Sequence, residues 1–131
     1  LAVLGLAASP LAAPDQIASI AVAETATVQA ARQWLALVDA GKWQESFAGT
    51  TAAFQSQNTV QLWQSASEQA RVPLGRMMSR TAVSDDSVPT PPNGHRVVRF
   101  RTDFEKKKGA IETVSLARDG DAWRVAGIYI D

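Results

Sequence analysis

Cysteine is absent from the 131-residue chain, which excludes disulfides, thiolate nucleophiles and Cys-ligated zinc together. A single histidine, His95, leaves no His-rich metal site either. Net charge is also missing: thirteen basic and thirteen acidic side chains cancel, so no global field draws the chain to nucleic acid or a membrane surface. The cancellation is uneven, because Arg32 and Lys42 are the only bases before residue 65. No Walker loop, dinucleotide fingerprint, HExxH, GxSxG or EF-hand loop occurs. The uncharged run Leu1–Ala13 is too short to span a bilayer.

That run, LAVLGLAASPLAA, instead has the apolar body and small-residue tail of a secretory signal peptide. Ala-x-Ala-like cleavage patterns follow at Ser19–Ala21 and Ala21–Ala23. With no initiator Met and no basic residue before it, the true start is expected upstream. Because no Cys follows, a lipid-anchored form is excluded for this segment. The competing reading is a flexible Ala-rich leader on a cytoplasmic protein. Residues 1–23 are therefore assigned to a signal remnant or leader and 24–131 to one domain, periplasmic or secreted in a bacterium. No transmembrane segment is expected in the mature domain. The length and the 46% hydrophobic content suffice for a core without staples.

From Glu24 the apolar spacing is helical through Val28, Leu35 and Val38, and Asp39-Ala-Gly-Lys ends it with Gly41 as the left-handed cap. Trp43–Phe47 reads as a second helix. Thr50 or Thr51 caps one further turn that brings Phe54 inward, and Asn58 or Thr59 caps a third helix that Pro73 stops. The remainder alternates with a period of two. Arg76–Ser84 is a first strand and Asp85–Gly94, with three prolines, an exposed loop. His95–Lys106 is a second strand, and Asp119-Gly120 joins the last two in a two-residue hairpin. That turn sets Leu116 beside Trp123, Val114 beside Val125 and Glu112 beside Gly127. A three-residue loop Lys107–Gly109 with Gly109 left-handed sets Phe104 beside Glu112 and Phe100 beside Leu116. Both hairpins thus put Phe100, Leu116 and Trp123 on one face. The expected fold is α+β: three N-terminal helices packed on one face of a curved four-stranded antiparallel sheet. Arg99, Arg101, Thr113, Ser115 and Arg124 take the outer face. Ala126, Ile128 and Ile130 fall there too, which a local bulge or cover by the N-terminal segment would explain, the alternative being an apolar patch for a homodimer.

The segments ARQWLALVDAGKWQESF, QARVPLGRMMSRT and ETVSLARDGDAWRVAGIYI together resemble the exported bacterial family called domain of unknown function 4019, over about residues 30–130. The layout is similar to the cystatin-like and nuclear-transport-factor-2-like α+β folds. The resemblance implies a fold and an exported location, and it carries no catalytic residue with it.

Glu112 is the residue with most chemical interest. On an apolar face beside Phe104, opposite Gly127 and sharing that face with Tyr129, its carboxyl would be raised by burial and suited to general acid–base work. The plainer expectation is that it reaches water or pairs with a lysine of the 106–108 turn. His95 is expected to be exposed and structural, and Asp85-Asp86 to be a solvated turn. The four tryptophans are expected in the core, with a ligand pocket between helices and sheet as the alternative. Arg99, Arg101 and Lys107 belong to a basic stripe offset by Asp103 and Glu105. It is a solvated face, or a surface for an anionic partner such as envelope lipid headgroups or an acidic protein. Two functional classes follow. One is a non-catalytic exported domain that binds a protein or envelope component, with no cofactor, metal or nucleic acid. The other is a small-molecule binder or enzyme whose concave sheet face is lined by Glu112, Tyr129, Phe104 and Trp123.

Overall fold

Three threonines start three of the helices. Thr25, Thr51 and Thr59 each accept, through the side-chain oxygen, the amide N–H three residues on, all at 3.1 Å, which satisfies a donor the helix cannot use. The computed structural model describes residues 22–91 and 93–131. Its helices are α1 (Ala26–Asp39), α2 (Trp43–Ala48), α3 (Ala52–Ser56) and α4 (Val60–Arg71), followed by the 3-10 turn Val72–Leu74. Gly41, at φ 70°, lets the chain leave α1. The strands are β1 (Met77–Val88), β2 (His95–Phe104), β3 (Lys107–Asp119) and β4 (Ala122–Ile130).

The expectation of three helices on a curved sheet is corrected in two respects. Thr51 caps a complete short helix, α3, rather than a loose turn, so four α-helices precede the sheet among the described residues. The antiparallel sheet runs β1-β2-β3-β4 with β1 and β4 as its edge strands; it is neither closed nor strongly curled. Of residues 1–23, assigned to a leader, 1–21 lie outside the described residues.

The core forms where the inner stripe of α1 meets the sheet. Val28, Ala31, Leu35 and Val38 pack over Ala82, Val98, Phe100, Val114, Leu116 and Val125, all nearly or fully buried. Burying one such side chain contributes roughly 1.5–3 kcal/mol, so this layer carries most of the attachment of α1. Trp34 and Trp63 extend it, with ring centroids 5.4 Å apart. Their indole N–H groups donate to the carbonyl oxygen and the hydroxyl of Ser46, both at 2.8 Å. Ser46 thereby satisfies two buried donors that would otherwise be costly.

Both hairpin registers differ from the expected ones. The β2–β3 loop is Glu105-Lys106, so Phe104 faces Lys107, Thr102 faces Ala110 and Phe100 faces Glu112. Gly109, at φ 70°, belongs to a bulge one step into β3, and its N–H donates to Asp103 Oδ1 at 2.8 Å. The β3–β4 turn is Gly120-Asp121, and Leu116 faces Val125. A bulge at Ala126 then reverses the alternation of β4, so Val114 faces Ile128, Thr113 faces Tyr129 and Glu112 faces Ile130. Ile128 therefore packs against the core instead of offering an outer patch to a second copy. Tyr129 turns out to solvent, 64% exposed. In β1 the strand continues to Val88, which takes Asp85-Asp86 out of the proline-rich loop. A bulge at Val83 brings Asp85 to the inner side.

Candidate functional site

Five elements converge on the Glu112 carboxylate. Its backbone position on β3, opposite Phe100, directs the side chain inward, and the residue is fully buried. Arg80 of β1 and Thr102 of β2 are direct partners in the neighbouring row and point to the same side. Arg80 donates to Glu112 Oε1 from Nε at 2.7 Å and to Oε2 from Nη2 at 3.2 Å. Thr102 donates its hydroxyl to Oε1 at 2.5 Å. From the last turn of α4, Arg71 Nη2 donates to Oε2 at 2.8 Å. Arg80 also reaches Asp39 at the end of α1, through Nη1 at 2.7 Å and Nη2 at 3.1 Å. Arg71 Nη1 lies 3.5 Å from the same carboxylate.

The result is a neutral cluster of two guanidiniums and two carboxylates that ties α1 and α4 to the sheet. Burial alone pushes the Glu112 carboxyl up. The hydrogen bond and charge of Arg80, the charge of Arg71 and the Thr102 hydroxyl outweigh it and hold the group below its ordinary value of 4.5. For Arg80, burial opposes the charged form, and the bonds to Asp39 and Glu112 more than reverse that. Four donors occupy the four acceptor positions of an ionised carboxylate. Glu112 therefore has no lone pair aimed at a substrate, which removes the geometry a general base needs.

A smaller cluster holds the entry to α1. Asp85 accepts from Thr25 at 2.7 Å, Thr27 at 2.9 Å and Arg96 Nε at 3.0 Å. Burial raises the Asp85 carboxyl, but these hydrogen bonds bring it below its ordinary value.

The residues expected to line one pocket are divided. Phe104 lies in the wall of a cavity of about 390 Å³ between the ends of α1 and α4 and the start of β1, with Val38, Trp43, Arg71 and Met77. Glu112 is not in that wall. Trp123 borders a separate hollow near Trp34 and Leu37, at the other end of the sheet. Tyr129 stands on the outer face, in the cross-strand row of Arg99 and Thr113. The shared face proposed for Glu112 and Tyr129 is thus corrected, and the bulge at Ala126 is the reason. Arg99 and Arg101 are exposed on the outer face and Lys107 at the hairpin end. Arg99 has a distant contact with Asp86, 3.8 Å. A third cavity, of about 150 Å³, separates α4 from β4.

Sequence reasoning missed Arg71, Arg80, Asp39 and Thr102. The parity of Arg80 with Ala82, and of Thr102 with Phe100, was the available signal, since period two puts each pair on one face. Arg71 is four residues after Ser67 and shares its side of α4. Among the described residues no three His, Cys, Asp or Glu side chains are placed to hold a metal ion, and no helix is long and apolar enough to cross a membrane.

A family model described as "Protein of unknown function (DUF4019)" matches residues 30–128. No curated protein and no solved structure matches the chain.

Proposed function

The chain belongs to the DUF4019 family, and on that footing we propose that it is a non-catalytic binding domain, exported to the periplasm, that engages a protein or envelope component. The saturated Glu112 carboxylate carries this reading. The most deeply buried acid is spent on Arg80, Arg71 and Thr102, and its role is to hold helices to sheet. The exposed cations Arg99, Arg101 and Lys107 support an anionic contact on the outer face, with Tyr129 beside them. The order of helices before an antiparallel sheet supports a cystatin-like or nuclear-transport-factor-2-like grouping. Residues 24–131 would act as one domain behind an export leader.

Carbon-13 NMR titration of the Glu112 carboxyl tests the central point. A midpoint below the ordinary 4.5 is expected; a midpoint raised toward neutrality would restore an acid–base role and overturn the reading. Fractionation of a Gram-negative host expressing the chain with its native upstream sequence tests export, with recovery in the periplasm expected and retention in the cytoplasm contrary.

A further inference from the structure

The edge of β4 is half used. Gly49–Thr51 lies along its first part as a parallel bridge to Val125. Thr51 N–H donates to Val125 O at 2.9 Å and Val125 N–H to Gly49 O at 3.0 Å. Beyond the bulge that protection stops. Ile111 and Asp131 exchange both backbone hydrogen bonds, so alternation directs the N–H and C=O groups of Ile128 and Ile130 away from β3. Among the described residues these groups have no backbone partner across the edge. The stretch Gly127–Ile130 contains no Lys, Pro or inward charge of the kind that blunts such an edge.

Directly above it lies the 150 Å³ slot between α4 and β4, lined by Trp63, Ala66, Ser67, Ala70 and Arg71 from the helix and by Ile128 and Ile130 from the strand. The small residues of α4 leave the space. Ser67, in the slot wall, is 5% exposed, and among the described residues its buried hydroxyl has no hydrogen-bond partner. Engineered cavities of this size hold a benzene ring, which matches one branched aliphatic side chain.

We propose that β4 takes an extended segment of a protein partner as an added strand on Ile128–Ile130, with one aliphatic side chain of that segment entering the slot beneath α4. The inference rests on the binding-domain reading and names the partner's chemistry. Main-chain pairing supplies affinity and the slot supplies selection, because a residue opposite Ile128 or Ile130 directs its side chain to the same face. The isolated bridge of the chain's own Thr50 to Val125 shows backbone pairing on the earlier part of the same edge. A second copy fits poorly: its inward residues on β4 are again Ile128 and Ile130, and Ile128 already packs in its own core.

The test uses the full chain and a blocked heptapeptide alternating Thr and Val, with a Thr/Ser heptapeptide as control. Binding of the valine peptide is expected to slow hydrogen exchange at the Ile128 and Ile130 amides by about tenfold or more. Filling the slot with Ser67→Leu, or with Ala70→Leu at its exposed wall where folding is not at risk, is expected to weaken binding about tenfold. Asp121→Ser, exposed in the β3–β4 turn, should change nothing. No protection, equal binding of the serine peptide, protection confined to β1, or the same amides protected by self-association without peptide would each overturn the proposal. Its failure is separable from that of the binding-domain reading, which stands or falls on the Glu112 titration.

Discussion

Replacing Glu112 by Gln leaves Arg80 and Arg71, whose side chains are 4% and 12% exposed, with Asp39 as the only nearby anion. Removing one member of a buried ion pair costs about 3–5 kcal/mol. The Gln oxygen can still accept from Arg80 Nε and Thr102, which favours the lower end, about 3 kcal/mol. At roughly 4 °C per kcal/mol for a domain of this size, the melting temperature should fall by about 12 °C. Urea unfolding followed by tryptophan fluorescence measures this as a lowered midpoint with an unchanged slope. The double variant Glu112→Leu/Arg80→Met removes one charge of each sign and leaves Arg71 facing Asp39, so it should be more stable than either single variant. A loss below about 1 kcal/mol for Glu112→Gln, the range of exposed ion pairs, would refute the account of a buried, spent carboxylate.

The same group fixes the sign of a pH effect. The folded Glu112 carboxyl titrates below its unfolded value, so between those two values the unfolded chain binds more protons. Its contribution is therefore fully present above about pH 4.5 and lost as the pH falls through the folded value. The wild-type chain should lose stability on acidification below pH 4.5 more steeply than Glu112→Gln, as read by urea midpoints across that window. Asp85→Asn should loosen the start of α1, because Thr25, Thr27 and Arg96 all bond to that carboxylate; faster amide exchange over residues 24–28 with little change in the sheet is the expected result. Gly75→Ala should cost more than 1 kcal/mol, since the residue sits at φ 79° and an added Cβ would come within 2.9 Å of Glu105 Cβ. Gly127→Ala, with nothing within 4 Å, should be close to neutral by the same urea unfolding measurement.

Residue type and spacing alone determined most of the stretches that become helix or strand, the short α3 and the end of β1 over residues 85–88 excepted. Val28, Leu35 and Val38 repeat at the helical period, Thr25, Thr51 and Thr59 supply caps, and Val98, Phe100, Thr102 and Phe104 alternate, all local properties that need no partner to be read. The left-handed positions at Gly41 and Gly109 were legible for the same reason: they follow from a missing Cβ. Family membership was legible as well, carried by phrases of local sequence.

Only the tertiary structure decided the registers and hence the site. A turn displaced by one residue at Gly120-Asp121 and a single extra residue at Ala126 exchange the faces of Ile128, Tyr129 and Ile130, because strand side chains alternate with a period of two. Glu112 falls on the inner face, as its parity implied, but it is fully buried and bonded to Arg71 and Arg80 instead of reaching water or a lysine of the 106–108 turn. These arginines, and Asp39 behind them, come from positions up to 73 residues away along the chain. Their approach depends on how α1 and α4 cross the sheet, a packing outcome that no local pattern encodes. The same carboxylate is an acid–base candidate when read along the strand and a structural anchor once two guanidiniums close around it.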